Sequence, residues 1–326
     1  MKLTLVDDKE SNRPKPQHVV ARGEWDEFWL RFRRDWFAIA GGGFIVLLVL
    51  LALFGAPLAV RFTGHEPDEQ FFNGLDINGV PLSPLSREVS DDGLTTNPKG
   101  ELFVLGTDRL GRDVFVRLLF GARISLLVAF AATGAALLIG VPLGLTAGYF
   151  RGVWDGVISR AIETALAFPS LLFAIGLAAV IGPGLLNVIV VIALFSWYYP
   201  ARIVRTATLA LRSEQFVEAG VSVGASDSRI IFEHLLPHLT AQITVYSTGI
   251  IASNILFEAG LSYLGLGVPP PTSSWGQMLS DGVVGGLYRV QPWLAIIPGL
   301  ALAVTTLAFN QLGDGLRDAL APRGSR

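Results

Sequence analysis

Apolar residues fall in six long runs along this 326-residue chain, with polar and charged residues gathered between them. The runs are Phe37–Val60, Ile124–Gly148, Val157–Ile181, Leu185–Val204, Thr240–Leu261 and Pro292–Leu312. Each reaches about 20 residues or more, the length a helix needs to cross roughly 30 Å of hydrocarbon. An unpaired backbone amide in lipid costs several kcal/mol, so runs of this kind are read as helices, which satisfy their own backbone. The pattern predicts an all-α integral membrane protein with about six transmembrane helices. Gly182-Pro183-Gly184 leaves room only for a tight turn between the third and fourth runs, which therefore pair as an antiparallel hairpin. The first run follows a mixed-charge segment and exceeds a signal-peptide core, so it reads as a retained anchor.

Composition sharpens the class. Of all residues 51% are hydrophobic and 16% charged, against about 25% charged in soluble domains. The chain has no cysteine, which removes disulfides, thiolate metal sites and cysteine nucleophiles. A net charge of −2, spread along the chain, offers no surface for nucleic acid.

Arginine positions set the orientation, because short cytoplasmic loops retain basic residues. With Arg31, Arg33 and Arg34 inside, Arg151, Arg202, Arg205, Arg212, Arg229, Arg317, Arg323 and Arg326 are inside too, and both termini are cytoplasmic. The chain then divides into a cytoplasmic segment 1–36, a first transmembrane helix 37–60, an external loop 61–123, a five-helix core 124–312 with a cytoplasmic loop 205–238, and a cytoplasmic tail 313–326. Arg109, Arg112, Arg117 and Arg123 fall outside, in a loop near the length of about 60 residues beyond which the charge rule weakens. Asp108–Arg112, Arg109–Asp113 and Asp113–Arg117 are i,i+4 pairs, with Leu110, Val114 and Leu118 on another face. An amphipathic helix results, lying on the membrane or solvated. From Thr63 to Gly100 the residues read as an external loop without a core of its own.

Catalytic patterns are missing. His234 and His238 have zinc-helix spacing, but no Glu follows His234, Pro237 should break the helix between them and no third ligand is evident, so no metal site is expected. None of Lys2, Lys9, Lys15 and Lys99 follows a glycine, so the chain has no phosphate-binding loop and cannot hydrolyse ATP by that route. No G-x-S-x-G elbow is present either, and neither an enzyme nor a cofactor is indicated.

The most informative segment lies in the cytoplasmic loop. Small and apolar residues dominate from Phe216 to Val223, Gly224 offers a helix stop, and Ser226 with Asp227 offers a new cap for a helix to Leu235. Two short helices with a tight bend would form a knob, docking on another protein or folded onto its own bundle. The spacing of Glu218, Ala219, Gly224, Leu236 and Pro237 resembles the signature of inner-membrane permeases of binding-protein-dependent ATP-binding-cassette importers, with Gly220 where the family has alanine and His234 as in its peptide branch. Residues 106–113 (GTDRLGRD), 261–267 (LSYLGLG) and 310–318 (NQLGDGLRD) are similar to further motifs of the C-type permease of the peptide/nickel branch.

That resemblance implies a type I importer permease fold in a bacterial or archaeal inner membrane. It also implies a second homologous permease, two cytoplasmic ATPases docking on Glu218, Ala219, Gly220, Gly224, His234, Leu236 and Pro237, and an external solute-binding protein. Di- or oligopeptides are the implied solutes, with nickel complexes or glutathione as alternatives. A self-sufficient secondary transporter or channel is the competing class. Gly140, Gly144 and Gly148 form a close-packing face, within this subunit or between subunits. Asn254 and Glu258, polar at membrane depth, are candidates for the pathway or for helix-to-helix bonding.

The orientation places Asn73 outside. Asn73→Cys in this cysteine-free chain should react with an impermeant thiol reagent on intact cells. Labelling only after the cytoplasm is opened would overturn the topology.

Overall fold

The structure is a computed structural model and describes residues 24–90 and 95–320. Lys2, Lys9, Lys15, Arg323 and Arg326 lie outside the described residues. Helix α1 (Glu24–Phe32) leads into α2 (Trp36–Leu50), whose N-terminus is capped by Asp35 Oδ1 accepting from Ala38 N at 3.1 Å. A π turn, Leu51–Gly55, carries the chain into α3 (Ala56–Thr63). After the segment 64–113 come α4 (Val114–Phe150), α5 (Gly152–Ala167), α6 (Ser170–Ile181), α7 (Leu185–Leu194) and α8 (Tyr198–Leu211). The short α9 (Gln215–Ser222) and α10 (Asp227–Arg229) precede α11 (Leu236–Tyr263), α12 (Trp275–Val283) and α13 (Trp293–Leu320).

Four helical stretches among the described residues are long and apolar enough to cross a bilayer: Trp36–Thr63, Val114–Phe150, Leu185–Leu211 and Trp293–Leu320. The α5–α6 pair makes a fifth if taken as one bent span. The sixth run lies in α11, whose 28 residues extend about 42 Å at 1.5 Å per residue. Its hydroxyls, Asn254 and Glu258 leave it less apolar than the other four.

The structure corrects several sequence expectations. The run Val157–Ile181 is not one straight helix: α5 and α6 meet at 89°. Phe168 there is extended (φ −92°, ψ 141°), as the residue before a proline must be to avoid the ring of Pro169. The expected amphipathic helix around Asp108–Arg117 is absent over its first half. Asp108 Oδ1 accepts from Leu110 N (2.8 Å) and Arg112 N (3.1 Å), and these local bonds compete with a helix. Helix α4 starts only at Val114, where Asp113 caps it by accepting from Phe115 N at 2.7 Å.

The segment 64–113, expected as far as Gly100 to be a loop without a core, has one. Strands β1 (Ser86–Arg87) and β2 (Leu102–Phe103) pair antiparallel, and Leu82, Val89 and Phe103 are buried together against Phe71. His65 stacks into this cluster, 4.6 Å from the Phe71 ring and 5.1 Å from that of Phe103. Two further boundaries move: helix α12 occupies the expected last external loop, and α13 runs to Leu320, past the expected start of the tail at 313.

The tightest packing is between α4 and α8. A Cβ at Gly144 would stand 2.5 Å from Ala201 O, and one at Gly148 would stand 2.8 Å from Arg205 O. Gly140 faces Trp197 and Pro200 in the same way, so the three glycines let two backbones touch within this subunit. On the other side of the bundle α2 packs on α13, with Gly41 over Ala308 O and Gly315 against Ala38.

Gly144→Leu should therefore still insert, since leucine suits lipid, but overpacking of this kind costs about 1–3 kcal/mol. Thermal unfolding in detergent should show a lowered midpoint. An unchanged melting curve would mean that α8 can move aside freely.

Candidate functional site

The segment between α8 and α11 folds into two short helices with a bend. Helix α9 ends at Ser222, and Gly224 takes φ +81°, a left-handed conformation open to glycine at little cost. Ser226 caps the second piece, its Oγ accepting from Arg229 N at 3.4 Å. From Asp227 the chain stays helical: α10 passes into a π turn, Ile230–Leu235, and then into α11. The expected break at Pro237 is thus absent. In α geometry the Pro237 ring would collide with the carbonyl of Glu233, and the wider π turn just before it takes up that conflict.

One face of this projection is anchored. Val217, Ile230, Ile231, Leu235 and Leu239 are buried with Leu145, Tyr149 and Val204 of α4 and α8. Tyr149 donates its hydroxyl hydrogen to Asp227 Oδ1 at 2.7 Å, joining the C-terminal end of α4 to the second short helix. His238 stacks on Phe216 at 4.7 Å, and its Nδ1 lies 2.6 Å from His234 O.

The other face is open. Val223 is 84% and Phe232 65% exposed, and Glu218, Ala219 and Val221 are also exposed. Beside them Tyr149, Arg151, Arg212, Val217 and Glu218 line a groove of about 560 Å³. Gly220 is half-buried, and a Cβ there would lie 3.9 Å from Ile230 Cγ1, an ordinary contact, so glycine is not required at this position. Leu236 is half-buried at the start of α11, and Pro237 beside it is exposed. Near the base of the projection, Asp155 of α5 holds Arg205 of α8 through two bonds, one of them Arg205 Nη2 to Oδ2 at 2.8 Å.

Asn254 and Glu258 lie inside the subunit. Asn254 accepts from Ser196 Oγ at 2.9 Å and donates to Thr133 Oγ1 at 2.9 Å, tying α11 to α4 and to the break between α7 and α8. Glu258 is fully buried and accepts from Ser125 Oγ (3.0 Å) and Ser262 Oγ (2.6 Å). Both therefore serve helix-to-helix bonding in this conformation, and neither faces open space.

A second charged cluster, not anticipated as a unit, sits at the opposite end of α4 from the projection. Arg112 pairs with Asp108 (2.7 Å) and Asp281 (3.3 Å), and Arg117 pairs with Asp108 (3.3 Å). Arg109 reaches the same Asp281 at 3.0 Å. The i,i+4 spacing of Asp108 and Arg112 signals one of these contacts. Nothing local signals Asp281, which lies far along the chain.

Comparison with known proteins places these features in a family. The model of the binding-protein-dependent transport system inner membrane component matches residues 140–326, and that of the N-terminal transmembrane domain of oligopeptide transport permease C matches residues 23–82. The glutathione transport system permease protein GsiD of Escherichia coli O6:K15:H31 (strain 536 / UPEC) is 40% identical over 309 residues, covering 95% of this chain and 93% of that protein. The protein of the same name from Shigella boydii serotype 4 (strain Sb227) matches equally. A chain of the inward-facing MetNI methionine ABC transporter (CY5 native crystal form) superposes with a TM-score of 0.54 at 18% identity, over 64% of this chain and 98% of that one. At that identity the likeness concerns the fold alone.

The anchoring of the projection can be weakened selectively. Tyr149→Phe removes one bond to a carboxylate, worth about 1.5–3 kcal/mol. Amide hydrogen exchange should accelerate roughly tenfold or more across 226–235 while α4 stays protected. Unchanged exchange there would show that apolar packing alone holds the projection.

Proposed function

Because the chain belongs to the family of binding-protein-dependent transport system inner membrane components, we propose that it forms half of a translocation pathway whose other half is a second, homologous permease. The chain is a permease of an ATP-binding-cassette importer of the peptide/nickel type and a non-enzymatic transport subunit. A self-sufficient secondary transporter or channel is accordingly set aside. Two ATPases on the cytoplasmic side supply the energy, and a solute-binding protein delivers cargo from outside. The chain spans the inner membrane with both termini in the cytoplasm.

The observation that carries this reading is the two-sided character of the projection at Gln215–Leu235. Its inner face is packed on α4, α8 and α11, so a push on it moves three long helices. Its outer face offers exposed Val221, Val223 and Phe232, which in water alone have no favourable partner. Glu218, Ala219, Gly220, Gly224, His234, Leu236 and Pro237 form or flank this lever. Small peptides are the cargo class: relatives at 40% identity are named for glutathione transport, and the N-terminal match is to an oligopeptide permease domain. Glutathione, a tripeptide, is the first solute to test.

Gly224→Val and Glu218→Arg separate docking from assembly. Open space surrounds Gly224, so valine there suffers from the left-handed backbone rather than from a clash, at a cost of about 1–2 kcal/mol. Both variants should insert and pair with the second permease, yet lose ATPase recruitment and solute uptake. Normal recruitment and uptake in both would remove the projection as the coupling element.

A further inference from the structure

Helix α12 is a short element between two turns that contain left-handed glycines. Gly265 (φ +78°) precedes it, and Gly285 (φ +70°) and Gly286 (φ +78°) follow it. It packs on α13, with Met278 buried and Gly282 directly against the backbone of Leu294, and two polar clasps of different chemistry hold its ends. At its N-terminus the clasp is sealed: Trp275 is 1% exposed, its Nε1 donates to Leu118 O at 3.0 Å, and its backbone N–H donates to Ser125 Oγ, which itself bonds Glu258. Gly276 packs directly on Ala259. Nothing outside the protein can reach this end.

The C-terminal clasp is ionic and reaches the surface. Asp281, 6% exposed, accepts from Arg112 Nη2 at 3.3 Å and Gln277 Nε2 at 3.3 Å, and pairs with Arg109 at 3.0 Å. Arg112 and Arg117 share Asp108, and Arg117 continues to Pro67 O (3.0 Å) and Asp68 (3.5 Å). Asp108, Arg112, Arg117 and Asp281 are all buried, but the side chains at the two ends of the chain of charges, Arg109 and Asp68, are 40% and 46% exposed. The array thus joins α12 to the start of α4 and to the external segment, and presents one cationic and one anionic terminal to the outside.

We propose that the Asp281 clasp is the releasable attachment of α12, and that Arg109 is the positioning residue through which a protein docked on the external face acts on it. Competition for Arg109 by an acidic group of the docked protein withdraws one of the two cations on Asp281. The remaining pair with Arg112 is the longer one, so the C-terminal end of α12 is then held mainly by its packing on Leu294 and can shift along α13 at the turn formed by Gly285 and Gly286. The sealed clasp at Trp275 keeps the helix attached while its far end moves. This inference rests on the proposed assembly with an external solute-binding protein and cytoplasmic ATPases.

The test uses the whole complex in lipid nanodiscs, with ATP hydrolysis measured without and with solute-loaded binding protein. Stimulation of the wild-type complex by that protein is the control for the assembly itself, and its absence would count against the assembly. Given stimulation, Asp281→Asn should raise unstimulated hydrolysis at least about fivefold, the low end of ordinary allosteric coupling, and shrink the stimulation ratio. Asp281→Glu, which keeps the charge, should restore both. Arg109→Gln removes a half-exposed side chain without leaving Asp281 unpaired, so it tests the idea even if Asp281→Asn fails to assemble. It should lower the stimulation ratio. Wild-type ratios in Arg109→Gln, or wild-type unstimulated hydrolysis in an assembled Asp281→Asn complex, would overturn the proposal.

Discussion

A backbone amide that leaves a helix inside hydrocarbon must find a new partner, because lipid supplies none. The departures from regular helix in this chain follow that constraint. Where α7 gives way to α8, the Ser196 side chain joins Asn254, which in turn holds Thr133, so the break is enclosed by three polar groups. Where the ladder widens at Leu51–Gly55 and Ile230–Leu235 it remains a π helix, with backbone bonds kept inside the segment. The amides at the α7–α8 break keep backbone partners, Ser196 N and Trp197 N both bonding Ala193 O at 3.2 and 3.1 Å, and Asn254 joins the helices around it.

Helix α4 is the element on which most of the rest is assembled. Its 37 residues, with Pro142 among them, extend about 55 Å at 1.5 Å per residue, so one helix joins the charge array around Asp108 to the projection at Gln215–Leu235. Asp113 fixes its outer end and also bonds His65 Nδ1 at 2.6 Å. Tyr149 fixes its inner end to Asp227. Between them the glycine face receives α8, and Ser125 and Thr133 receive α11.

The six apolar runs and the bent projection were legible in the residues because both depend on local chemistry: run length for the spans, a glycine and a capping serine for the bend. The 89° corner at Phe168 also had a local signal in Pro169, but the apolar run passes over it without interruption and hides it. The core of the segment 64–113 was not legible, since Phe71, Leu82, Val89 and Phe103 are scattered among turn residues with no period. The same holds for Asp281, whose partners are brought near only by the fold. Asn254 and Glu258 stood out as polar residues in an apolar run. Composition could identify them as exceptional without telling whether they face a pathway or a neighbouring helix.

The contact of α4 with α8 also constrains how the two helices can change over generations. At Gly144 and Gly148 the obstacle is the first carbon of any side chain, which lands on a backbone carbonyl of the opposite helix. Even alanine therefore meets the obstacle, before hydrophobicity or charge comes into play. Leu138, on the same helix but 79% exposed, faces the opposite rule: any apolar shape is tolerated, and only polarity is selected against. Substitution along α4 is thus governed by atom count on one side and by solvent preference on the other, and the two filters meet within a single helical turn.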